Sequence, residues 1–121
     1  MQHIGVDIIE IARIEKAIAR WRERFLQRVY TDAELKLCRQ KPSPLAACFA
    51  SKEAVMKLLG TGIRGVCWKD IETLSHPSGK PLVNLYGGAQ TEAKRLGLKE
   101  IAISLSHSRE YAIAMVTGET K

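Results

Sequence analysis

SPLAACFASKEAVMKLLG, residues 43–60, is the stretch of sequence that decides the fold. It predicts a helix over 44–59, because Ser43 can cap the first turn, a proline suits the first helical position and Gly60 suits the end. Its alanines leave room for other elements to approach closely. We therefore expect this helix to lie at the centre of the fold, packed on several neighbours.

The segments around this helix predict antiparallel strands and further helices. The chain has 121 residues, a length typical of one compact domain, so we expect 1–121 to form a single domain. The predicted fold class is α+β, with antiparallel strands, a long first helix and the central packed helix. The expected elements are a strand at 3–9, a helix at 10–28, a short helix from Thr31 that ends before Pro42, two short strands around a turn at 76–81, a helix at about 88–96 and strands at 98–106 and 110–117.

The helix predicted at 10–28 carries two stripes of side chains. The apolar stripe, expected to face the core, consists of Ile11, Ile14, Ile18, Trp21 and Phe25. The basic stripe consists of Arg13, Lys16, Arg20 and Arg24. A solvated polar face is one interpretation of the basic stripe, and a docking surface for an acidic partner is the other.

The balance of charge points to anionic partners. The formal net charge is +6, which favours nucleic acid, anionic lipid, phosphorylated ligands or an acidic protein, although good solubility alone would also explain it. Aromatic residues make up only 6%, and no stacking platform or known nucleic-acid motif appears. We therefore expect no nucleic-acid partner, although the arginine stripe keeps that alternative open.

The sequence also bears on the compartment. No basic region followed by an apolar run opens the chain, and no stretch approaches the roughly 20 apolar residues of a membrane span. Cys38, Cys48 and Cys67 are odd in number and none lies at metal-ligand spacing, which indicates free thiols in a reducing compartment. We expect a cytoplasmic protein with no membrane partner.

Asp7, Glu53 and Lys57 are the candidate catalytic residues. Asp7 interrupts an apolar strand, where a carboxylate needs a partner such as a metal ion or the cap of a neighbouring turn. Glu53 and Lys57 share a helix face at i and i+4, where a simple ion pair is the common explanation. Two carboxylates from different elements can also bind one hard divalent cation, and magnesium typically takes only one or two protein carboxylates.

Three loop features suit a phosphorylated substrate. Gly60-Thr61-Gly62 supplies backbone N–H groups for phosphate oxygens, and Lys80 adds a mobile positive charge. His107 follows a strand end, where it can donate to a phosphate or take up a proton. Each of these features is also typical of an ordinary surface loop.

Six short motifs follow one another along almost the whole chain. They are Gly5-Val6-Asp7-Ile8 with Arg13, Phe49-Ala50-Ser51-Lys52-Glu53-Ala54 with Lys57, Gly60-Thr61-Gly62, Trp68-Lys69-Asp70-Ile71, Gly79-Lys80-Pro81 and Ser104-Leu105-Ser106-His107. In order and spacing the chain resembles the holo-(acyl-carrier-protein) synthases, the short form of the 4′-phosphopantetheinyl transferases. Val55 and Met56 depart from the family pattern, in which a bulky aromatic residue is common at this place.

The resemblance implies a reaction. Family members transfer the 4′-phosphopantetheine arm of coenzyme A to a serine of apo acyl carrier protein and release adenosine 3′,5′-bisphosphate. It assigns Asp7 and Glu53 to Mg²⁺ and the coenzyme A pyrophosphate, and Lys57 to the phosphate oxygens. Glu53, directly or through a water, is the expected base for the carrier serine. The coenzyme A-binding residues that it implies are Gly60, Thr61, Gly62, Gly79, Lys80, Pro81 and His107.

The resemblance also implies partners. Arg13, Arg20 and Arg24 would meet the acidic carrier protein, and the reaction would support fatty acid biosynthesis. Family members assemble as trimers with each site between neighbouring subunits, so we expect a homotrimer. A non-catalytic carrier-binding protein remains as the alternative, because it would keep the basic helix without needing the carboxylates and the lysine together.

Overall fold

The computed structural model describes residues 1–62 and 64–120, and it confirms the α+β prediction. The strands form an antiparallel three-stranded sheet and an antiparallel pair. Among the described residues, no helix has the length and apolar character that crossing a membrane requires. The elements are β1 (Gln2–Glu10), α1 (Ile11–Trp21), α2 (Glu23–Val29), α3 (Asp32–Cys38), α4 (Pro42–Leu59), a 3₁₀ turn (Trp68–Asp70), β2 (Ile71–Ser75), β3 (Pro81–Leu85), α5 (Gly87–Leu96), β4 (Leu98–His107) and β5 (Tyr111–Thr120).

Helix α4 is the central helix, as its alanines predict. It packs across the sheet, whose strands run in the order β1-β5-β4, and also contacts α1, α3, α5 and β2. A methyl group at Gly5 would lie only 2.0 Å from the carbonyl oxygen of Ala54, so β1 and α4 touch backbone to backbone. The helix ends at Gly60 as predicted, but it begins at Pro42 rather than at 44, and Ser43 lies inside it instead of capping it.

The long helix predicted at 10–28 is wrong in one respect, because the chain forms two helices there. Arg22 breaks the run with a φ of 47°, a left-handed value that few residues other than glycine adopt. The break turns α2 so that Leu26 and Val29 are buried. It also leaves Trp21 46% exposed, so this residue does not belong to a continuous buried stripe.

A buried polar cluster joins α3, α4 and β2. Helix α3 begins with a capping box at Thr31, and the Glu34 of this box is fully buried together with Lys52, at 2.8 Å between carboxylate and ammonium. Glu34 also accepts hydrogen bonds from the Thr73 N–H and the Cys48 thiol. Removing one partner of such a buried pair typically costs about 3–5 kcal/mol, so the cluster fixes how α4 sits in the fold.

The three-stranded sheet has one covered face and one uncovered face. Ala112, Ala114 and Val116 of β5 are fully buried on the side of α4. On the other side lies what we call the outer face, in which Val6 pairs with Met115 and Ile8 pairs with Ile113. The exposed apolar residues of the outer face are Ile4, Val6, Ile8, Ile113 and Met115.

Candidate active site

Asp7 and Glu53 meet where β1 crosses α4, and we call this site the carboxylate cluster, with Lys57 as its third member. The backbone contact between Gly5 and Ala54 brings the two elements this close. The Lys57 ammonium donates to Asp7 Oδ1 at 2.9 Å and to the Val6 carbonyl at 3.0 Å. Lys57 therefore pairs with the strand carboxylate, and not with Glu53 as a simple ion pair within the helix would require.

The ion pair between Lys57 and Asp7 is a weak one. The Lys57 side chain is 56% exposed, whereas that of Asp7 is 11% exposed. Ion pairs between exposed side chains contribute roughly 0–1 kcal/mol, and here water screens the pair from the side of the lysine. Lys57 can therefore leave Asp7 at low cost when another anion, or another cation at Asp7, enters the site.

The charges in the cluster act on one another. Burial raises the pKa of the Glu53 carboxyl, and repulsion from Asp7 raises it further. Lys57 and Arg13 lower the same pKa in part, so two acidic and two basic groups converge on this place. Neighbouring carboxylates of this kind favour an added cation, because it relieves their repulsion.

The donor set at this place consists of two carboxylates. Among residues 1–62 and 64–120, no three or more His, Cys, Asp and Glu side chains are grouped as metal ligands. Asp7 and Glu53 thus fit a hard cation that keeps most of its positions for water and phosphate oxygens, as Mg²⁺ does. This fit rests on the chemistry of the two side chains and on their mutual repulsion.

The glycine-rich loop, residues 60–65 (GTGIRG), begins where α4 ends, one turn beyond Lys57. Gly60 caps the helix with a φ of 77°, and its N–H is taken up by the carbonyls of Met56 and Lys57. This N–H is therefore not available to a phosphate, contrary to the expectation for the whole Gly60-Thr61-Gly62 segment. The helix also presents its carbonyl end here, whose partial negative charge repels anions, and Lys57 places a positive charge in the same last turn.

Gly79, Lys80 and Pro81 lie at a different place, which we call the cavity. It has a volume of about 510 Å³ and is formed between the end of α3, the start of α4, the hairpin of β2 and β3, and strand β4. Its lining includes Pro44, Ala47, Cys48, Leu74, Ile103 and Leu105. His107 lies beyond the cavity, in a hollow of about 170 Å³ with Ile8, Tyr111 and Ile113.

The structure therefore separates the predicted coenzyme A-binding residues into groups. Helix α4 lines the cavity with Ala47 and carries Lys57 in the carboxylate cluster. These residues are ten positions apart, or about 15 Å along the helix axis. Within one chain, the cavity and the carboxylate cluster do not share a lining residue among those described.

The basic residues divide in a similar way. Arg13 acts on the carboxylate cluster through its effect on the pKa of Glu53. Arg20 and Arg24 place their guanidinium groups 4.8 and 6.0 Å from the centre of the Trp21 ring. The two arginines and the exposed indole form one surface, which we call the arginine–tryptophan patch.

Two features of this site region escaped sequence analysis. The first is the exposure of Trp21, which depends on a helix break that helical periodicity does not reveal. The second is the outer face of the sheet. A signal for the outer face was present, because HIGVDII is apolar at both odd and even positions, a pattern typical of a strand covered on both sides.

Comparison with known proteins agrees with the resemblance. A family model described as the 4′-phosphopantetheinyl transferase superfamily matches residues 3–116. The holo-[acyl-carrier-protein] synthase of Dehalococcoides mccartyi (strain ATCC BAA-2266 / KCTC 15142 / 195) is 54% identical over 119 residues, which cover 98% of this chain and 99% of that protein.

Solved structures show the same similarity in the fold. The holo-[acyl-carrier-protein] synthase of Helicobacter pylori in complex with coenzyme A has a TM-score of 0.88 and 36% identity, over 96% of this chain and 99% of that one. The enzyme of Neisseria meningitidis has a TM-score of 0.89 and 30% identity, over 98% of each chain. The chain therefore belongs to the 4′-phosphopantetheinyl transferase superfamily, within which it is a transferase of the holo-[acyl-carrier-protein] synthase family.

Proposed function

We propose that this chain transfers the 4′-phosphopantetheine arm of coenzyme A to a serine of an apo acyl carrier protein. The observation that carries the proposal is the convergence of Asp7, Glu53 and Lys57 where β1 crosses α4. A relative of the same fold has been solved in complex with coenzyme A, which supports the choice of donor.

Asp7 and Glu53 would hold Mg²⁺ in this reaction. Their repulsion, seen in the raised pKa of Glu53, is what an added cation would relieve. When bound, Mg²⁺ supplies Lewis-acid polarisation of the pyrophosphate and offsets charge on the leaving group. Lys57 can exchange its weak pair with Asp7 for a phosphate oxygen of coenzyme A, where its charge stabilises the transition state.

Glu53 is the group that we assign as the base. Its pKa is raised by burial and by Asp7, and a carboxylate with a raised pKa accepts a proton more readily at neutral pH. As the serine loses its proton, its oxygen forms a bond to the phosphorus of the phosphopantetheine arm. The bond from that phosphorus to the bridging oxygen breaks, and adenosine 3′,5′-bisphosphate leaves with the electron pair.

We propose that the protein acts as a homotrimer with sites between subunits. The outer face leaves Ile4, Ile8 and Met115 at 64%, 60% and 44% exposure, which is unfavourable for a face that remains in water. His107 borders the same face beside Ile8. A neighbouring chain on the outer face would bury this apolar surface and can bring its own cavity towards the carboxylate cluster.

The arginine–tryptophan patch, together with Arg13, is the surface that we assign to the acidic carrier protein. Its arginines are exposed, and their charge complements an acidic partner. We further propose that residues 1–121 form one transferase domain that serves fatty acid biosynthesis in the cytoplasm. The three free thiols of the chain fit such a reducing compartment.

The proposed function is tested by incubating the protein with coenzyme A, Mg²⁺ and an apo carrier protein, and then weighing the intact carrier by mass spectrometry. We expect a gain equal to the phosphopantetheine arm, with equimolar release of adenosine 3′,5′-bisphosphate. A carrier whose acceptor serine is replaced by alanine is the control and should gain nothing. If several apo carriers gain no mass under these conditions, the proposal is wrong.

A further inference from the structure

After the glycine-rich loop the chain enters the 3₁₀ turn, whose last residue, Asp70, contacts the start of α5. One carboxylate oxygen of Asp70, Oδ2, accepts the N–H of Cys67 at 3.0 Å and the N–H of Gly88 at 3.2 Å. The carbonyl of Asp70 accepts the N–H of Tyr86 at 2.7 Å. A single residue thus ties the returning chain to the start of α5.

A second contact at the same place depends on the absence of a side chain. A Cβ atom added to Gly88 would lie 1.7 Å from the carbonyl oxygen of Gly65, which is a backbone atom of the loop. No rotation of a side chain can relieve such an overlap, so α5 or the loop would have to move. Gly88 therefore determines how closely the loop approaches α5.

Helix α4 holds the same turn from the other side. The buried Lys52 ammonium donates to the Trp68 carbonyl at 3.0 Å, and the Trp68 ring stacks on Phe49 with 4.8 Å between ring centres. Lys52 and Phe49 thus fix the turn to the helix that carries Glu53 and Lys57. The turn lies between α4 and α5, each of which holds it through specific contacts.

We propose that Asp70 and Gly88 are positioning residues for coenzyme A, which act by setting where the glycine-rich loop lies relative to Lys57. This inference rests on the proposed function, with the glycine-rich loop at the coenzyme A phosphates as the family resemblance implies. The N–H of Gly60 is taken up by the end of α4, so the loop can offer phosphates only N–H groups beyond it. The location of these N–H groups depends on where the end of the loop is held, and the hydrogen bond between Asp70 and the Gly88 N–H holds it.

The first measurement is the affinity for coenzyme A, by calorimetry in the presence of Mg²⁺. We expect Asp70→Ala and Gly88→Ala to bind coenzyme A roughly tenfold more weakly, which corresponds to about 1.4 kcal/mol. Asp70→Asn should bind nearly as well as the parent, because its amide oxygen can still accept both N–H groups. In transfer assays the two weakened variants should raise the KM for coenzyme A and leave the KM for the carrier protein unchanged.

Thr31→Ala is the matched control. The Thr31 hydroxyl also accepts a backbone N–H three residues away, that of Glu34, but it lies at the start of α3. We expect this variant to lower the melting temperature without changing the affinity for coenzyme A. Our inference is overturned if folded Asp70→Ala and Gly88→Ala bind coenzyme A as tightly as Thr31→Ala does.

The second measurement does not depend on coenzyme A. Arg64 is exposed in the loop, so trypsin can report how firmly the returning chain is held. We expect cleavage after Arg64 to be several times faster in Asp70→Ala than in Asp70→Asn or the parent. If the parent binds no coenzyme A and transfers nothing, the proposed function fails, and unchanged cleavage after Arg64 separately overturns the role of Asp70.

Discussion

The carboxylate cluster and the cavity lie along the same helix, yet they are built in opposite ways. The carboxylate cluster is small and charged, and it results from one backbone contact between β1 and α4. The cavity is mostly apolar, and four segments of the chain supply its lining, namely α3, α4, the hairpin of β2 and β3, and β4. Each region contains residues that the family resemblance assigns to one and the same ligand.

This difference suits two separate roles, reaction at the phosphorus in the carboxylate cluster and binding of the substrate in the cavity. The carboxylate cluster contains the three groups that we propose act on a phosphorus atom, namely the carboxylates of Asp7 and Glu53 and the ammonium of Lys57. The cavity contains Lys80 and a pocket large enough for part of a nucleotide, but no carboxylate among its described lining residues. In the proposed function coenzyme A contacts both regions, and a second subunit offers a way for both to surround one molecule.

The largest effect is expected from removing the carboxylates. Asp7→Ala and Glu53→Ala should each reduce transfer by at least roughly a hundredfold, because each removes a metal ligand and the latter also removes the base. Initial rates at saturating Mg²⁺ measure the loss. Glu15→Ala, which removes an exposed carboxylate from α1, is the control and should be fully active. Near-parental rates in either cluster variant would show that its residue is not a metal ligand.

The next effect tests whether the two regions act across a subunit boundary. We propose to co-express Glu53→Ala with Lys80→Glu, each nearly inactive alone at low coenzyme A, and to isolate mixed oligomers with two affinity tags. In a trimer with shared sites, about one site in three of each mixed oligomer would combine an intact carboxylate cluster with an intact cavity. Transfer should recover to about that fraction.

A matched mixture provides the comparison for this experiment. Glu53→Ala combined with Asp7→Ala damages the same cluster twice, so its mixed oligomers should stay inactive. Native mass spectrometry confirms that mixed oligomers are present in both samples. Absence of recovery in the first mixture, with mixed trimers present, would show that one chain holds the complete site.

The two regions also differ in how far sequence could predict them. Asp7 and Glu53 stand in short motifs on elements whose type is evident from local pattern, and the structure brings them together as expected. The contact itself depends on Gly5, whose missing side chain admits the carbonyl of Ala54. A glycine in a strand signals a close approach, but it does not name the partner.

Other parts of the fold depend on contacts that no local pattern contains. The helix predicted at 10–28 has unbroken periodicity, yet the chain breaks it at Arg22 with a positive φ, which buries Leu26 and Val29 and leaves Trp21 exposed. The pair Glu34 and Lys52 likewise depends on how α3 meets α4. The cavity is the extreme case, since its lining comes from four separate segments and no short motif can describe its shape.

A smaller effect is expected at the surface assigned to the carrier protein. Arg20→Glu should raise the KM for the carrier roughly tenfold at low salt, because it places like charges opposite each other, and should leave the KM for coenzyme A unchanged. Lys94→Glu makes the same change of charge on α5 and serves as the control. If both variants raise the carrier KM equally, only the net charge matters and the arginine–tryptophan patch is not the docking surface.

The smallest effect is expected on the melting temperature, which reports the charge of Glu53 without an activity assay. The pKa of this carboxyl is raised in the folded protein above its ordinary value of 4.5. A carboxyl whose pKa is raised by folding stabilises the fold at pH values below its unfolded pKa. This contribution is lost as the pH rises through the folded pKa. Without Mg²⁺, the Tm advantage of Glu53→Gln over the parent should therefore grow between about pH 4 and about pH 7.

Titrating groups away from the carboxylate cluster are shared by the two proteins, so their contributions cancel in this difference. Added Mg²⁺ should remove the advantage, because only the parent keeps both carboxylates for the ion. An advantage that stays constant with pH would show that burial and Asp7 do not act on Glu53 as the folded structure requires. A Tm advantage that grows with pH but does not change when Mg²⁺ is added would confirm the repulsion between the carboxylates and show that Mg²⁺ does not bind to them. The carboxylate cluster would then lack the metal-binding role that the family resemblance implies.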